Sequence, residues 1–458
     1  MSETPPRDAV VVGGGIAGLA AAWELRDRDV LVLEAADRLG GRIRSEARDP
    51  YWLNLGAHVL AGPGSATWRL AAEVGAELVK VPGHLVAIEL DGRILVGGRP
   101  ELYPFRLPLT MRERAALIRA GARLRLAVAR YERLARPRGG ESPAETRARV
   151  LAYGDDRTFA DWLGSLPGDA EALFRATVTR STAEPEEISM GHGAGYFALV
   201  WSAGKGLSYN VLGGTSTLVD RIAAALPARI ELGAEANAVT SEGGLRRVTY
   251  THAGAERSVL ARHVVVATKA FDAARLIADL PSPTRASLEA IPYGPTLVLA
   301  MLTGERGPMR WDHLYALATP KRAFSMLFNI ANVVRSGGER APGGSLMVYR
   351  SGHAATTLFE RSDAELERLF LDDFEAIYPE ARGIVKETLL LRMPRMLPYV
   401  APGRAGLQPP LEVALGNVHL AGDYMGGTYT ETAIATGQRA AAVILESLAT
   451  APEAIPAP

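Results

Sequence analysis

Three glycines near the start of the chain have the types and spacing for phosphate chemistry. Gly13-x-Gly15-x-x-Gly18 follows a Val-rich run ending at Val12 and opens an Ala- and Leu-rich run. Gly13 permits a tight turn, Gly15 lets the backbone approach a pyrophosphate, and Gly18 lets a helix lie close on a sheet. Unpaired N–H groups at that helix start, with the positive end of its dipole, would face the phosphates. The apolar run from Val30 then ends on Glu34, 16 residues after Gly18. A carboxylate there accepts hydrogen bonds from both ribose hydroxyls and repels a 2′-phosphate, which disfavours NADP. A lone glycine motif is weak evidence. The strand before it, the helix after it and the acid closing the next strand make it a dinucleotide site. Arg38-x-Gly40-Gly41-Arg42 adds a second phosphate-handling element and narrows the ligand to FAD.

Such residues need a parallel βαβ core to hold them, and the first 60 residues do not complete one. Its remaining pieces return later: residues 210–215 leading into a helix near 216–226, strands at 229–232 and 262–268, and residues 417–423 before a long C-terminal helix. Segments 60–206 and 290–395 lack this rhythm. The expected fold is α/β: a Rossmann-like FAD-binding domain of the glutathione-reductase type, with a discontinuous mixed α+β substrate domain. The expected bounds are 1–75, 207–289 and 396–448 for the first, and 76–206 and 290–395 for the second. The Ala/Pro-rich end, 449–458, reads as a tail without fixed structure.

Composition sets outer limits. A chain of 458 residues suits two domains. Formal net charge is zero, so no global field favours nucleic acid or anionic membrane. No apolar run approaches the roughly 18 residues of a membrane span. Cleavage of a signal peptide would remove the first strand, so the expected location is the cytoplasm. The absence of cysteine excludes disulfides, thiolate catalysis, iron–sulfur clusters and a cysteinyl–flavin bond. The eight histidines show no HxxxH or HExxH spacing, so no protein-built metal centre is expected. Residues 111–136 read as an amphipathic helix, with Leu117, Leu124, Val128 and Tyr131 on one stripe and arginines elsewhere. The plain reading is a solvated helix with one buried stripe; peripheral membrane contact is the alternative.

Taken together, the glycine motif, Glu34, Arg38-x-Gly40-Gly41-Arg42, Leu55-Gly56-Ala57-His58, the Val264–Thr268 strand and Ala421-Gly422-Asp423…Ala433-x-x-x-Gly437 resemble the flavin amine oxidase superfamily. That superfamily includes monoamine and polyamine oxidases, protoporphyrinogen oxidases and carotenoid desaturases. The resemblance implies non-covalently bound FAD. Gly13, Gly15 and Gly18 would hold its pyrophosphate, Glu34 its ribose, and Arg42, beside Gly40 and Gly41, a phosphate oxygen. Gly56, Ala57 and His58 would run under the isoalloxazine, and the backbone of Ala236 would meet the adenine. Gly422 and Asp423 would lie at the ribityl–phosphate junction. A Thr428-x-x-Glu431 capping box predicts a helix start near Tyr429. By the resemblance, that helix and Thr430 would face the pyrimidine edge of the flavin, where reduction places negative charge.

The expected chemistry is hydride transfer from a substrate C–H to flavin N5. Gly191-His-Gly-Ala-Gly195 lacks a preceding strand and a third glycine, so no nicotinamide site is expected, and oxygen or a quinone would reoxidise the flavin. Amine oxidases resemble one another in an aromatic pair above the flavin and in a lysine near N5. Tyr429 matches one ring, but Met396 stands at the other and Val298 at the lysine. These departures favour dehydrogenation of a largely apolar small molecule in the manner of porphyrinogen oxidases and desaturases. The alternatives are oxidation of an amine or related nitrogen compound, and a redox-neutral isomerase. Tyr196, Phe197, Trp201, Phe324, Met326 and Phe328 are candidate pocket residues, and His58 is a candidate for a covalent flavin link.

Overall fold

The computed structural model describes residues 5–83, 87–201, 207–226, 229–335, 340–427 and 429–450. The first strand, Arg7–Val12, lies between Val30–Glu34 and the long strand Ala255–Val266, parallel to both. Arg229–Leu232 extends the sheet beyond Val30–Glu34, and Val418–Leu420 pairs with the end of the long strand, also in parallel. Successive side chains of the first strand alternate between faces. Ala9 and Val11 enter a core with the helix Ile16–Glu24 and the C-terminal helix Thr430–Thr450, while Val10 and Val12 enter another with Val264, Val266 and Tyr250. Both faces are covered, as a parallel sheet requires.

Two glycines set how close these layers come. A Cβ on Gly18 would stand 2.0 Å from the Gly13 carbonyl, and one on Gly437 would stand 2.1 Å from the Ala17 carbonyl. The first helix is therefore pressed between the glycine turn and the C-terminal helix. The antiparallel strands Ala234–Glu242 and Leu245–His252, which the sequence analysis did not anticipate, extend the sheet from the first half of Ala255–Val266.

A second sheet of seven strands runs, in spatial order, Val385–Pro398, Tyr293–Thr303, Gly344–Ser351, Met326–Asn329, Ala316–Ala318, Ala87–Leu90 and Arg93–Val96. Its pairs are antiparallel except between Ala316–Ala318 and Ala87–Leu90. Leu297, Leu299 and Met301 face a core with Phe370 and Phe374. Val298 and Ala300 face the opposite side with Phe328, Met347 and Trp52. That opposite side is the one turned toward the dinucleotide sheet.

A helical layer closes the structure. Met111–Ala135 begins with a Thr110/Glu113 capping box and buries Ala116, Ala120, Leu124, Ala127 and Val128. Several of its arginines are held by protein rather than left free. Arg114 donates to the Pro104 carbonyl and Arg123 to Trp162, while Arg125 and Arg130 stand over the rings of Trp201 and Tyr153. Among the described residues no helix is long and apolar enough to cross a membrane. The expected tail lies beyond Thr450, outside the described residues, and 449–450 close the C-terminal helix.

Candidate active site

A continuous cavity of about 880 Å³ runs from the glycine turn to the second sheet. At its first end Gly13 turns with φ +104°, a conformation open to glycine, and Gly15 sits at the helix N-cap with φ −71° and ψ 172°. A Cβ on Gly15 would meet no atom within 4 Å, because that side of the residue faces the groove. The Gly40–Gly41 turn forms the facing wall: Gly40 N–H donates to the Gly14 carbonyl at 2.9 Å, and a Cβ on Gly41 would lie 3.6 Å from Gly15 Cα. Glu34 accepts from Gly14 N–H at 2.6 Å and from Ala36 N–H at 2.9 Å. A carboxylate has about four acceptor sites, so two remain for ribose hydroxyls. Ala236 lies beside Ala234 and Glu235 on the same wall.

Midway, Arg42 and Asp423 form a bidentate pair at 2.6 and 2.9 Å, and Arg42 also donates to the Met396 carbonyl at 3.0 Å. Burial opposes the Arg42 charge, but attraction to Asp423 holds its pKa above the ordinary value. The guanidinium expected at a phosphate is thus anchored by the carboxylate expected at the ribityl junction. Gly56 lies directly on Arg42: a Cβ there would stand 2.2 Å from the Arg42 carbonyl. The Gly56 carbonyl accepts from Asn54 and faces His58 Nδ1 at 3.1 Å, which fixes the His58 proton on Nδ1. Burial, reinforced by the charge of Arg180, pushes the His58 pKa down to about 4 despite the Gly56 carbonyl. His58 is therefore neutral at pH 7, and its Nε2 is a buried acceptor with no partner among the described residues.

The opposite wall comes from the start of the C-terminal helix, through Tyr429, Thr430 and Glu431. Thr428, the cap residue expected from the sequence, lies outside the described residues, and Glu431 is engaged by another helix. Its carboxylate accepts from Ala66 N–H at 2.7 Å, Thr67 N–H at 2.9 Å and the Thr67 hydroxyl at 2.6 Å. The helix Ala66–Glu73 offers three donors at its positive end, and the carboxylate accepts from all of them. The helix itself begins at Thr430.

Beyond these groups lies an aromatic chamber. Tyr429 is half-buried, with its ring centroid 6.3 Å from that of Tyr196. Phe328 stands edge-on to His58 at 4.5 Å and stacks on Tyr349 at 5.7 Å. Val298, Met347 and Met396 complete the apolar wall. The ring neighbour of Tyr429 is thus Tyr196, and not a group at Met396. Of the six candidate pocket residues, Tyr196 and Phe328 line the chamber. Phe197 instead stacks on Phe159, Phe324 packs on Phe370, Met326 lies in the core beside Trp52, and Trp201 donates to Glu101. Tyr349, Ser351, Thr296, Arg180 and Thr182 also line the cavity and were missed. The strand alternation Met347-x-Tyr349-x-Ser351 carried the signal for two of them.

The groove fits a flavin dinucleotide. The open side of Gly15 is a cradle that a Cβ would fill, and His58 Nε2 is an unused acceptor farther along the cavity. Comparisons with known proteins agree. The sequence profile of flavin-containing amine oxidoreductases matches residues 16–445. A Mycobacterium tuberculosis protein whose name describes a flavin-containing monoamine oxidase, AofH, is 31% identical over 289 residues, 60% of this chain and 60% of its own length. The chain thus spans about 60% of the length of the curated relatives it first matches. Among solved structures, cyclohexylamine oxidase from Brevibacterium oxydans IH-35A superposes with TM-score 0.76 at 22% identity, over 97% of this chain and 100% of that one. A protein assigned by name to the protoporphyrinogen oxidases, from Exiguobacterium sp. 255-15, superposes with TM-score 0.71 at 18% identity over the same shares. These two likenesses concern the fold alone. Matched along nearly its full length, this chain belongs to the flavin-containing amine oxidoreductases.

Proposed function

We propose that the protein dehydrogenates a largely apolar small molecule, in the manner of porphyrinogen oxidases and desaturases. The observation that carries this reading is the chamber wall. Val298, Phe328, Met347, Tyr349, Met396 and Tyr429 surround the space beyond His58, and Val298 stands where amine oxidases of this family resemble one another in carrying lysine. When bound, FAD accepts two electrons from the substrate, with hydride transfer to N5 as the expected route.

In this reading Gly13, Gly15 and Gly18 hold the pyrophosphate, Glu34 the ribose, Ala236 the adenine, and Arg42 with Asp423 the link toward the ring. Neutral His58 holds its proton on Nδ1 and presents Nε2 as an acceptor, so it adds no positive charge beside the flavin. Tyr429 and Tyr196 orient the substrate, and the apolar wall excludes water from the reacting carbon. The two sheets support the bounds 1–75, 207–289 and 396–448 for the FAD domain, with 76–206 and 290–395 for the substrate domain.

A second reading, oxidation of an amine, is supported by the Tyr196–Tyr429 ring pair and by the 31% identical relative. Anaerobic screening of candidate substrates for loss of the visible flavin band tests both. Bleaching by apolar C–H donors but not by simple amines supports the first, and the reverse supports the second. Mixing the reduced enzyme with air or with a quinone then identifies the acceptor.

A further inference from the structure

The aromatic chamber contains one charge that the proposed function does not use. Arg180 lies in the short helical turn Thr179–Ser181 and lines the cavity. The Tyr349 hydroxyl is within its hydrogen-bond reach, and its charge is felt by both His58 and Tyr429, so it stands among the groups that surround the reacting space. Several other charged groups on the cavity wall have charged or helix-end partners, while Lys269 and Arg395 stand over the Phe271 ring and Arg38 donates to backbone carbonyls. Arg42 has Asp423, Arg44 has Glu46, Arg392 has Asp363, and Glu431 has the helix start at Ala66. Arg180 forms no ion pair with a carboxylate among the described residues. A guanidinium has five donors, and Tyr349 leaves most of them unused.

The backbone that presents Arg180 is held unusually. Thr182 follows in the left-handed region at φ +69°, which is uncommon for a β-branched residue. Its hydroxyl donates to the Leu397 carbonyl at 3.2 Å, and its own carbonyl packs on Gly294, where a Cβ would stand 2.0 Å away. Strained residues of this kind persist where surrounding structure fixes them, and they cluster at ligand sites. On the wall of the same cavity, the uncharged Thr296 and Ser351 hydroxyls bond each other at 2.9 Å.

We propose that Arg180 is the anchor for a carboxylate on the substrate, so that the substrate is an anion with an apolar or aromatic body. This rests on the reading of the chamber as the substrate site. A partly buried, unpaired guanidinium favours a carboxylate through two parallel charge-assisted bonds and repels a cationic amine. The ligand chemistry is shared by plain carboxylic acids and by amino acids, and the two differ only in whether an amino group is also read.

Calorimetric titration of the FAD-loaded protein separates these cases, using 3-phenylpropionate, 3-phenylpropionamide, L-phenylalanine and phenethylamine as probes. The carboxylates should bind roughly 10-fold or more tightly than the amide and the amine, as expected for charge-assisted hydrogen bonds. Arg180→Gln should bring 3-phenylpropionate down to the level of the amide while leaving FAD content unchanged, and Arg180→Lys should recover part of the loss. Preference for L-phenylalanine over 3-phenylpropionate identifies an amino acid; equal binding identifies a plain acid. Equal affinity of wild type for 3-phenylpropionate and its amide overturns the proposal, as does wild-type affinity in Arg180→Gln or failure of wild type to bind either carboxylate. If Arg180→Gln does not fold, the wild-type comparison of acid with amide still decides. The readout is binding, so carboxylate selectivity without any flavin bleaching would refute the dehydrogenase reading and leave Arg180 standing.

Discussion

Replacing Gly15 by valine separates the cofactor's needs from the fold's. The backbone at Gly15, φ −71° and ψ 172°, is one any residue adopts, and a new Cβ meets no protein atom within 4 Å. Losing a glycine N-cap is unfavourable by a few tenths to about 1 kcal/mol, while restricting the unfolded chain contributes about 0.4–1 kcal/mol the other way. The FAD-free protein should therefore change stability by less than about 1 kcal/mol. With FAD bound, the groove cannot absorb the side chain so easily, because the space it enters is where the pyrophosphate is proposed to lie. Each charge-assisted bond from the turn that is lost weakens binding by about 1.5–3 kcal/mol, or roughly 10- to 100-fold. A hundredfold loss removes about 2.7 kcal/mol of ligand stabilisation at a fixed, saturating FAD concentration.

The assay is a pair of urea melts, with and without FAD, alongside the flavin-to-protein ratio. Gly15→Val should melt like wild type without FAD and gain little from adding it. Gly18→Ala is the contrast: its Cβ would stand 2.0 Å from the Gly13 carbonyl, so the FAD-free protein itself should be weakened. Full FAD occupancy in Gly15→Val, or equal damage to both FAD-free variants, would refute the placement of the phosphates at this turn.

Other consequences follow from buried charges and caps. Asp423→Ala leaves the Arg42 guanidinium without its bidentate partner; a loss of about 3–5 kcal/mol in urea denaturation is expected, together with reduced FAD content. Glu431→Ala removes three hydrogen bonds at the start of Ala66–Glu73, one of them from a side-chain hydroxyl, and should lower stability by at least about 1.5 kcal/mol. Burial pushes the pKa of His192 down from 6.5 to about 4, with the charge of Arg404 adding to the shift. As pH falls through that window the unfolded chain takes up a proton that the folded chain refuses. The stability this histidine contributes is complete above about 6.5 and is lost toward 4, about 2 kcal/mol of it between pH 7 and pH 5. His192→Gln should flatten the fall in urea midpoint over that range by this amount; an unchanged slope would show that His192 protonates freely in the folded state.

The dinucleotide half was legible because its constraints are local. A turn with φ +104° at Gly13, a Cβ clash at Gly18 and an acid at the end of the second strand must all be written within 30 residues. The strand Arg229–Leu232 could likewise be read from one short alternation of charged and apolar residues. The chamber was less legible because it is assembled from distant strands. Phe324 and Phe328 sit four residues apart in one hairpin, yet only Phe328 faces the cavity, since the turn into Met326–Asn329 directs Phe324 to the opposite core. The described partners of Glu431 lie 364 and 365 residues away in sequence, beyond the reach of any local capping signal. Arg180 carried no local signal: its proposed role rests on the absence, among the described residues, of a carboxylate paired with it in space.

The most direct test is the position of FAD in a crystal structure of the loaded protein. The account predicts the pyrophosphate against Gly15 and Gly41, the ring between the Gly56–His58 segment and the start of the Thr430–Thr450 helix, and open space for substrate bounded by Tyr196, Phe328 and Tyr429. A pyrophosphate bound away from the glycine turn, or a ring that leaves that chamber filled by protein side chains, would contradict it.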